Sequence, residues 1–121
     1  MKKILVVDDE LINRKLIRSI LRSKPDYKVL EASNGLEAKE IIEMNPDISL
    51  ILLDIKMPVM NGIEFLKERL KNEKLRKIPV VILTTDDTKK REVYLLAVQG
   101  FLVKPLNPVT VLECVDKFTN K

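Results

Sequence analysis

The chain has 121 residues, 45% apolar and 33% charged, a balance typical of one folded domain rather than of a disordered segment. Its net charge of +4 does not favour nucleic acid, because the basic residues alternate with acids, as in KERLKNEKLRK at 67–77, and indicate a solvated helix face. No apolar run reaches the ~20 residues of a membrane span, and the single cysteine, Cys114, excludes an internal disulfide and predicts a cytoplasmic protein.

Short β-rich runs alternate with helical periods along the chain. Proline and Asn-Gly pairs separate them, which fixes most of the boundaries. In chain order the sequence predicts a strand at 4–7, a helix from Glu10 closed by Pro25, a strand at 27–32, a helix after Asn34-Gly35 stopped by Asn45-Pro46, a strand at 48–53, a helix marked by Ile63 to Leu70, a strand at 80–84, a helix at about 88–98, a strand at 101–103 and a last helix after Lys104-Pro105.

Each helix is expected to bury one apolar stripe with a 3.6-residue period. The stripes are residues 12, 16, 17, 20 and 21 in the first helix, Leu36, Ala38, Ile41 and Ile42 in the second, and Val109, Leu112, Val115 and Phe118 in the last. Five strands alternating with five helices predict a doubly wound parallel α/β sheet, with 48–53, the most apolar strand, at its centre. Ligands of such sheets bind beyond the carboxyl ends of the strands.

Polar side chains stand where the strands stop. Asp8 and Asp9 follow the first strand, Asp54 the third and Lys104 the fifth, and Thr84 ends the fourth. Taken singly, most have ordinary explanations: Asp9 as a helix cap, Thr84 as a β-branched strand residue, Lys104 as a surface lysine. Together, three carboxylates at one edge would repel by ~4 kcal/mol per pair at ~4 Å unless a cation joins them. Because the ligands are hard oxygens and the chain has no histidine, the sequence predicts Mg²⁺.

The same edge carries groups suited to a phosphoryl group. The ammonium of Lys104 and the hydroxyl of Thr84 are donors for phosphoryl oxygens, and the metal would neutralise further charge. The remaining carboxylate, Asp54, is a suitable nucleophile toward phosphorus. The chemistry inferred from these residues is Mg²⁺-assisted phosphoryl transfer onto Asp54.

Four motifs resemble the response-regulator receiver domains, which have a CheY-like, flavodoxin-like fold. They are VVDDE at 6–10, LLDIKMPVMNG at 52–62, VVILT at 80–84 and VKP at 103–105, in the family's order. The resemblance implies a five-stranded sheet in the order 2-1-3-4-5 with five helices, and a single receiver domain over 1–121. It also implies either a stand-alone regulator or a receiver whose output domain is not in this chain.

Position by position, the resemblance implies a metal site and a phosphoacceptor. Asp54 matches the phosphoacceptor, Asp8 and Asp9 match the acidic pair that serves Mg²⁺, and the backbone carbonyl of Lys56 matches a further metal ligand. Mn²⁺ is a substitute that the same ligands would accept. Phosphorylation and dephosphorylation would be self-catalysed, so the chain is not expected to be an enzyme in the metabolic sense.

The resemblance also implies a switch. Thr84 and Lys104 match the phosphate contacts, and Phe101 takes the place of the switch aromatic. The phosphoryl oxygens would draw the Thr84 hydroxyl inward and let Phe101 follow. This would change the surface of the fourth helix, the fifth strand and the fifth helix. By analogy, the Lys104–Pro105 bond is expected to be cis.

Three residues are expected to modulate the reaction. Thr85 stands where the family often has a smaller residue such as Ala, so it would narrow access to the phosphoryl group. Lys56 lies two residues after Asp54, and Asp86 two residues after Thr84. An ion pair between Lys56 and Asp86 would cover the phosphoryl aspartate and lengthen its lifetime.

The expected partners are a histidine kinase or phosphotransfer protein as donor and an unidentified output domain or effector. Phosphorylation-dependent dimerisation is an option, whereas membranes and direct nucleic-acid binding are not expected. One alternative is an aspartate-nucleophile phosphohydrolase, but Lys56 stands where such an enzyme needs a second carboxylate. A flavin-binding module is disfavoured because VVDDE would repel phosphate. A degenerate receiver that serves only as an interaction module is a third alternative.

Overall fold

The computed structural model of the chain describes residues 2–85, 93 and 96–119. Within these residues five strands and five helices follow one another: β1 (Lys2–Val7), α1 (Leu11–Leu21), β2 (Tyr27–Ala32), α2 (Gly35–Met44), β3 (Ile48–Asp54), α3 (Gly62–Leu70), α4 (Glu73–Arg76), β4 (Val80–Thr84), β5 (Gly100–Val103) and α5 (Pro108–Thr119). All five strands were predicted. The helix predicted at about 88–98 lies mostly outside the described residues.

The strands form one parallel sheet in the order β2-β1-β3-β4-β5, which confirms the predicted fold class. β3 lies at the centre, and every residue in it except Ser49 is buried. Its continuous apolar sequence follows from this position, because a parallel strand covered on both faces has no solvent side. Because the strands are parallel, the residues that follow β1, β3, β4 and β5 all lie at the carboxyl edge of the sheet.

Alternate residues of the strands face two separate cores. Leu5, Ile51 and Ile82 belong to one core, in which Ala38 and Ile42 of α2 and Phe65 and Leu66 of α3 also lie. Ile4, Leu52 and Leu83 point the other way, into a core completed by α1 and α5. Burying each such side chain stabilises the fold by about 1.5–3 kcal/mol. The central strand is therefore held from both sides, which gives its carboxyl end a fixed position.

The predicted helical stripes are wrong at their N-terminal ends. Ile12 is 79% exposed, Val109 is 61% exposed, and Leu36 is also exposed. Leu16 is exposed as well, although it lies in the middle of α1. The rest of the predicted stripes includes buried residues: Ile17, Ile20 and Leu21 in α1, Ala38 and Ile42 in α2, and Val115 in α5. Val111 and Thr119 of α5 are also buried and were not predicted. The helices of a doubly wound sheet begin beside the strand ends, so their first turns lie past the sheet and have little to pack on. Periodicity identifies a helix face but not which turns of it lie over the sheet.

The segment 67–77, predicted to be a solvated helix face, differs from that prediction in two ways. The segment is not one continuous helix, because Asn72 accepts hydrogen bonds from the backbone N–H groups of Lys74 and Leu75 and so caps the separate short helix α4. Arg69 is 1% exposed, and it is the largest of the fully buried side chains among the described residues. The expectation of a solvated face is wrong for this arginine because its guanidinium satisfies buried backbone carbonyls. No helix in the described part of the chain is long and apolar enough to cross a membrane.

Candidate functional site

Four of the predicted site residues meet at the carboxyl edge of the sheet. Asp8 follows β1, Asp54 is the last residue of β3, Thr84 is the last residue of β4, and Lys104 follows β5. The Lys104 backbone N–H donates to the Thr84 carbonyl at 2.8 Å, so Lys104, just after β5, lies beside the end of β4. The Lys104–Pro105 bond is cis, as expected.

The Lys104 ammonium joins the two buried aspartates. Its Nζ lies 3.0 Å from Asp8 Oδ2 and 3.6 Å from Asp54 Oδ2. Burial by itself lowers the pKa of Lys104, but the hydrogen bond to Asp8 and the charges of Asp54, Asp8 and Glu10 together raise it. The lysine therefore stays protonated, and it partly compensates two carboxylates that have little access to water.

Asp54 is a buried carboxyl group with a raised pKa. Burial, and then the charge of Asp8, raise its pKa to about 6, against the lowering effects of Lys104 and of the Ile55 N–H. That N–H donates to Asp54 Oδ1 at 2.8 Å, so one carboxylate oxygen is held while Oδ2 faces Lys104. At neutral pH Asp54 is mostly ionised, yet it is poorly solvated and within reach of a cation.

The acidic side of the site is larger than the sequence suggested. One carboxylate oxygen from each of Asp8, Asp9 and Glu10 lies within 4.8 Å of the others. Asp8 is buried, whereas Asp9 and Glu10 are exposed. The backbone N–H of Glu10 donates to Asp8 Oδ1 at 2.9 Å, which fixes the turn after β1. Oxygen ligands of this kind, with room for water, fit Mg²⁺ better than zinc or copper. Glu10 was missed, although its position after two aspartates could have indicated it.

Asp54 also lines a cavity of about 350 Å³. Thr84, which is buried, and Thr85 and Lys56, which are exposed, contribute to its wall. The remaining lining residues are Ile55, Met57, Asn61 and Ile63, none of which was predicted as part of the site. Asn61 could have been found as the N-cap of α3, because it forms a capping box with Glu64. Asp86, the predicted partner of Lys56, lies outside the described residues.

The loop between β3 and α3 is tightly constrained. A Cβ at Gly62 would lie 2.5 Å from the backbone oxygen of Asp54, so only glycine lets α3 begin this close to the strand end. Val59 has φ 67°, a left-handed conformation that is costly for a β-branched residue, and the Met60 N–H donates to the Pro58 carbonyl across it. The Gly35 N–H donates to the Met60 carbonyl at 2.9 Å and ties the loop to α2.

Phe101 lies on β5, opposite Ile82 of β4, and is half-buried against the core that contains Phe65 and Val93. Phe101 precedes the site residue Lys104 by three positions in the sequence. The geometry is compatible with an aromatic that responds to Thr84, and this role stays a prediction.

A doubly wound sheet whose strand ends carry an acidic pocket, a buried aspartate and a bridging lysine defines a signalling receiver module of the CheY-like class. Comparison with known proteins identifies the family. The response regulator receiver domain family matches residues 4–116, and the chain belongs to it. It is therefore a two-component receiver, a phosphorylation-dependent signalling switch rather than a classical enzyme.

Individual relatives agree with this assignment. The chain is 34% identical over 116 residues to the chemotaxis protein CheY1 of Helicobacter pylori, covering 94% of each chain. It superposes on the structure of CheY4 of Vibrio cholerae with a TM-score of 0.87 at 34% identity, over 98% of both chains. It also has the fold of the receiver domain of sensor histidine kinase PA1611 from Pseudomonas aeruginosa, with a TM-score of 0.88 at 24% identity and coverage of 99% and 98%. That structure is described with a magnesium ion coordinated in its active-site cleft.

Proposed function

We propose that Asp54 accepts a phosphoryl group from a phosphohistidine of a histidine kinase or phosphotransfer protein. The observation that carries the proposal is the position of its carboxylate, between the Lys104 ammonium at 3.6 Å and an open cavity of about 350 Å³. Asp54 is largely buried, and it forms part of the wall of that cavity. A donor would therefore approach from the cavity side.

The transfer needs little covalent chemistry from other residues. One oxygen of Asp54 forms the new P–O bond while the donor's P–N bond breaks, and the bonding electron pair stays on the imidazole nitrogen. Because its pKa is about 6, Asp54 is mostly in the ionised, nucleophilic form at neutral pH. Lys104 loses one carboxylate partner during the step and gains a phosphoryl oxygen in exchange. Such positioning and charge compensation support self-catalysed transfer from small acyl phosphates as well.

The acidic residues fit a divalent cation. Asp8 and Asp9, with Asp54 and the Lys56 carbonyl, would hold Mg²⁺, and Mn²⁺ would be accepted in its place. Bound there, the ion supplies positive charge to the phosphoryl oxygens. Glu10 adds a third carboxylate to the cluster of Asp8 and Asp9, which raises the local negative charge and favours cation uptake over anion binding at this edge.

The proposed readout runs through Thr84 and Phe101. A phosphoryl group on Asp54 would accept a hydrogen bond from the Thr84 hydroxyl, and Phe101 would move toward the space left behind. The surface of β5, α5 and the segment at about 88–98 would then change for an output domain or effector. An unchanged Phe101 rotamer with and without a phosphoryl mimic would disprove the aromatic part of this switch.

Two exposed residues at the mouth of the cavity are proposed modulators. Lys56 would hinder the hydrolytic water, with Asp86 as its partner, and Thr85 would narrow the approach to phosphorus. The side chains of Lys56 and Thr85 are exposed, so substituting them should change the reaction rate rather than the stability of the fold. We also propose that 1–121 is one receiver domain and that it acts in the cytoplasm, where its single cysteine would stay reduced.

The test is incubation with Mg²⁺ and a small acyl phosphate, followed by intact mass. The expected result is one phosphate-sized increment that is absent in Asp54→Ala and retained in Asp47→Ala, a matched control at an exposed carboxylate. Omission of Mg²⁺ should abolish the increment. No increment with any donor would refute phosphoacceptance and favour a degenerate receiver. Release of phosphate from many external esters would favour the phosphohydrolase.

A further inference from the structure

Arg69 is a buried cation that holds backbone rather than carboxylates. It projects from the inner face of α3 and is 1% exposed. Among residues 2–85, 93 and 96–119, no carboxylate forms an ion pair with it. Burial lowers the pKa of its guanidinium, and the compensation comes from carbonyl oxygens. Burying a cation is costly unless hydrogen bonds compensate its charge, so the carbonyls that accept from Arg69 need to be identified.

The three carbonyls belong to two segments that precede neighbouring strands. Arg69 Nη2 donates to Ile78 O at 2.7 Å, and Nε donates to the same oxygen at 3.2 Å. Nη2 also reaches Arg76 O at 3.2 Å, at the end of α4. On the other side, Nη1 donates to Ala97 O at 3.2 Å. Ile78 is followed by Pro79, which has no N–H, and Arg69 supplies donors to carbonyls of both segments.

Ala97 lies just before the edge strand β5. It has φ 60°, so the chain reverses sharply at this residue. Two residues later, the Gln99 N–H donates to Val80 O at 2.8 Å, and the Val80 N–H donates to Gln99 Oε1 at 2.7 Å. Among the strands that the structure describes, β5 pairs only with β4, and Phe101 lies opposite Ile82. The start of this four-residue strand is thus fixed by Arg69 and by Gln99.

We infer that Arg69 is a positioning residue of the switch, which fixes the start of β5 relative to β4 so that a change at Thr84 moves Phe101 and not the whole strand. Only the part of the inference that concerns Thr84 and Phe101 rests on the proposed function; the role of Arg69 in holding β5 does not. A planar guanidinium with five donors can hold three carbonyls at once, whereas an ammonium can serve them only in part. A short edge strand with one partner has few other restraints.

The test is hydrogen exchange on the folded protein, first without any phosphoryl mimic. In Arg69→Met we expect the amides of 98–103 to exchange at least tenfold faster, with less than a threefold change in β1 and β3. Arg76→Met, which removes the same charge from an exposed position of α4, should match the parent. Arg69→Lys should be intermediate, and it replaces Arg69→Met if that variant does not fold. A uniform rise in all strands, or no rise at 98–103, would overturn the positioning role.

The second arm adds Mg²⁺ and beryllofluoride as the phosphoryl mimic. The parent and Arg76→Met should show a mimic-dependent change in exchange at 98–103, and this change should fall at least threefold in Arg69→Met or Arg69→Lys. An undiminished change would overturn the link to the switch. If the mimic alters no protein, the proposed function fails at this point, while the first arm still decides whether Arg69 positions β5.

Discussion

Replacing Asp54 with asparagine is expected to stabilise the metal-free fold at neutral pH. The carboxyl is buried beside Asp8, and these two effects raise its pKa to about 6 from an ordinary value of 3.8. The folded state therefore binds the Asp54 proton more tightly than the unfolded state does. An amide of the same shape avoids the ionisation and keeps an oxygen for the Ile55 N–H.

The magnitude follows from linkage. A pKa of about 6 in place of 3.8 corresponds to roughly 3 kcal/mol, at ~1.4 kcal/mol per pH unit. The Asp54 side chain is 12% exposed, and water screens part of the repulsion. We therefore expect Asp54→Asn to raise the free energy of unfolding by about 1–3 kcal/mol at pH 7.5, where the upper limit is the unscreened value.

The pH dependence gives the sign. A raised acid pKa contributes stability that is fully present below the unfolded pKa and is lost as pH rises through the folded pKa. The advantage of Asp54→Asn should thus be small near pH 4, grow between about pH 4 and 6, and level off above about pH 7. Urea titrations followed by far-UV circular dichroism, with a chelator present, would measure it.

A matched control and a metal arm make the test sharp. Asp47 is an exposed carboxylate whose pKa is lowered, first by its hydrogen bond with Lys3, so Asp47→Asn should not stabilise the protein at any pH. Added Mg²⁺ should stabilise the parent more than Asp54→Asn, because the variant lacks one ligand charge. If Asp54→Asn is no more stable than the parent at pH 7.5 without metal, the argument from crowded carboxylates is refuted.

Three further predictions concern the loops around Asp54. Lys56→Ala and Lys56→Asn should shorten the half-life of the phosphorylated protein up to about fivefold, since an exposed ion pair contributes ~0–1 kcal/mol. Lys67→Ala is the control. An unchanged half-life in the Lys56 variants would refute the proposal that Lys56 hinders the hydrolytic water. Gly62→Ala should cost about 1–3 kcal/mol in urea unfolding and slow phosphorylation, because its Cβ would lie 2.5 Å from Asp54 O. Gly100→Ala, whose Cβ would meet Phe118 at 3.6 Å, should stay near the parent, and equal effects of the two would contradict the steric argument. Val59→Asn should stabilise the protein by about 1 kcal/mol, because asparagine tolerates the left-handed conformation of this 75% exposed position better; a lower urea midpoint would show that the valine is not strained.

The strands and the edge that carries the site could be predicted from the sequence. β2 and β4 have the predicted bounds, and the apolar run of β3 indicated the centre of the sheet. The reason is physical: a parallel strand covered on both faces requires continuous apolar residues, and a polar residue ends it. Asp8, Asp54 and Lys104 follow from those ends, because parallel strands put all their carboxyl termini at one edge.

The sequence was less informative wherever one residue pattern suits two environments. An apolar residue in the first turn of a helix has the same period as one over the sheet, yet Ile12 and Val109 are exposed. Arg69 stands in a run of charges that favours solvent, but it is buried, and its guanidinium donates to three backbone carbonyls. The Glu10 carboxylate joins the acidic cluster only through the turn after β1.

The sequence by itself thus determined the class of fold, the family and the set of residues at the strand ends, since these depend on local pattern and chain order. Tertiary structure alone decided the distances within that set, which give Lys104 two carboxylate neighbours and Asp54 its raised pKa. It also decided that Arg69 of α3 is buried away from the site, with its guanidinium bonded to the segments before β4 and β5. Burial and carbonyl satisfaction are properties of packed segments distant in sequence, and no local pattern records them.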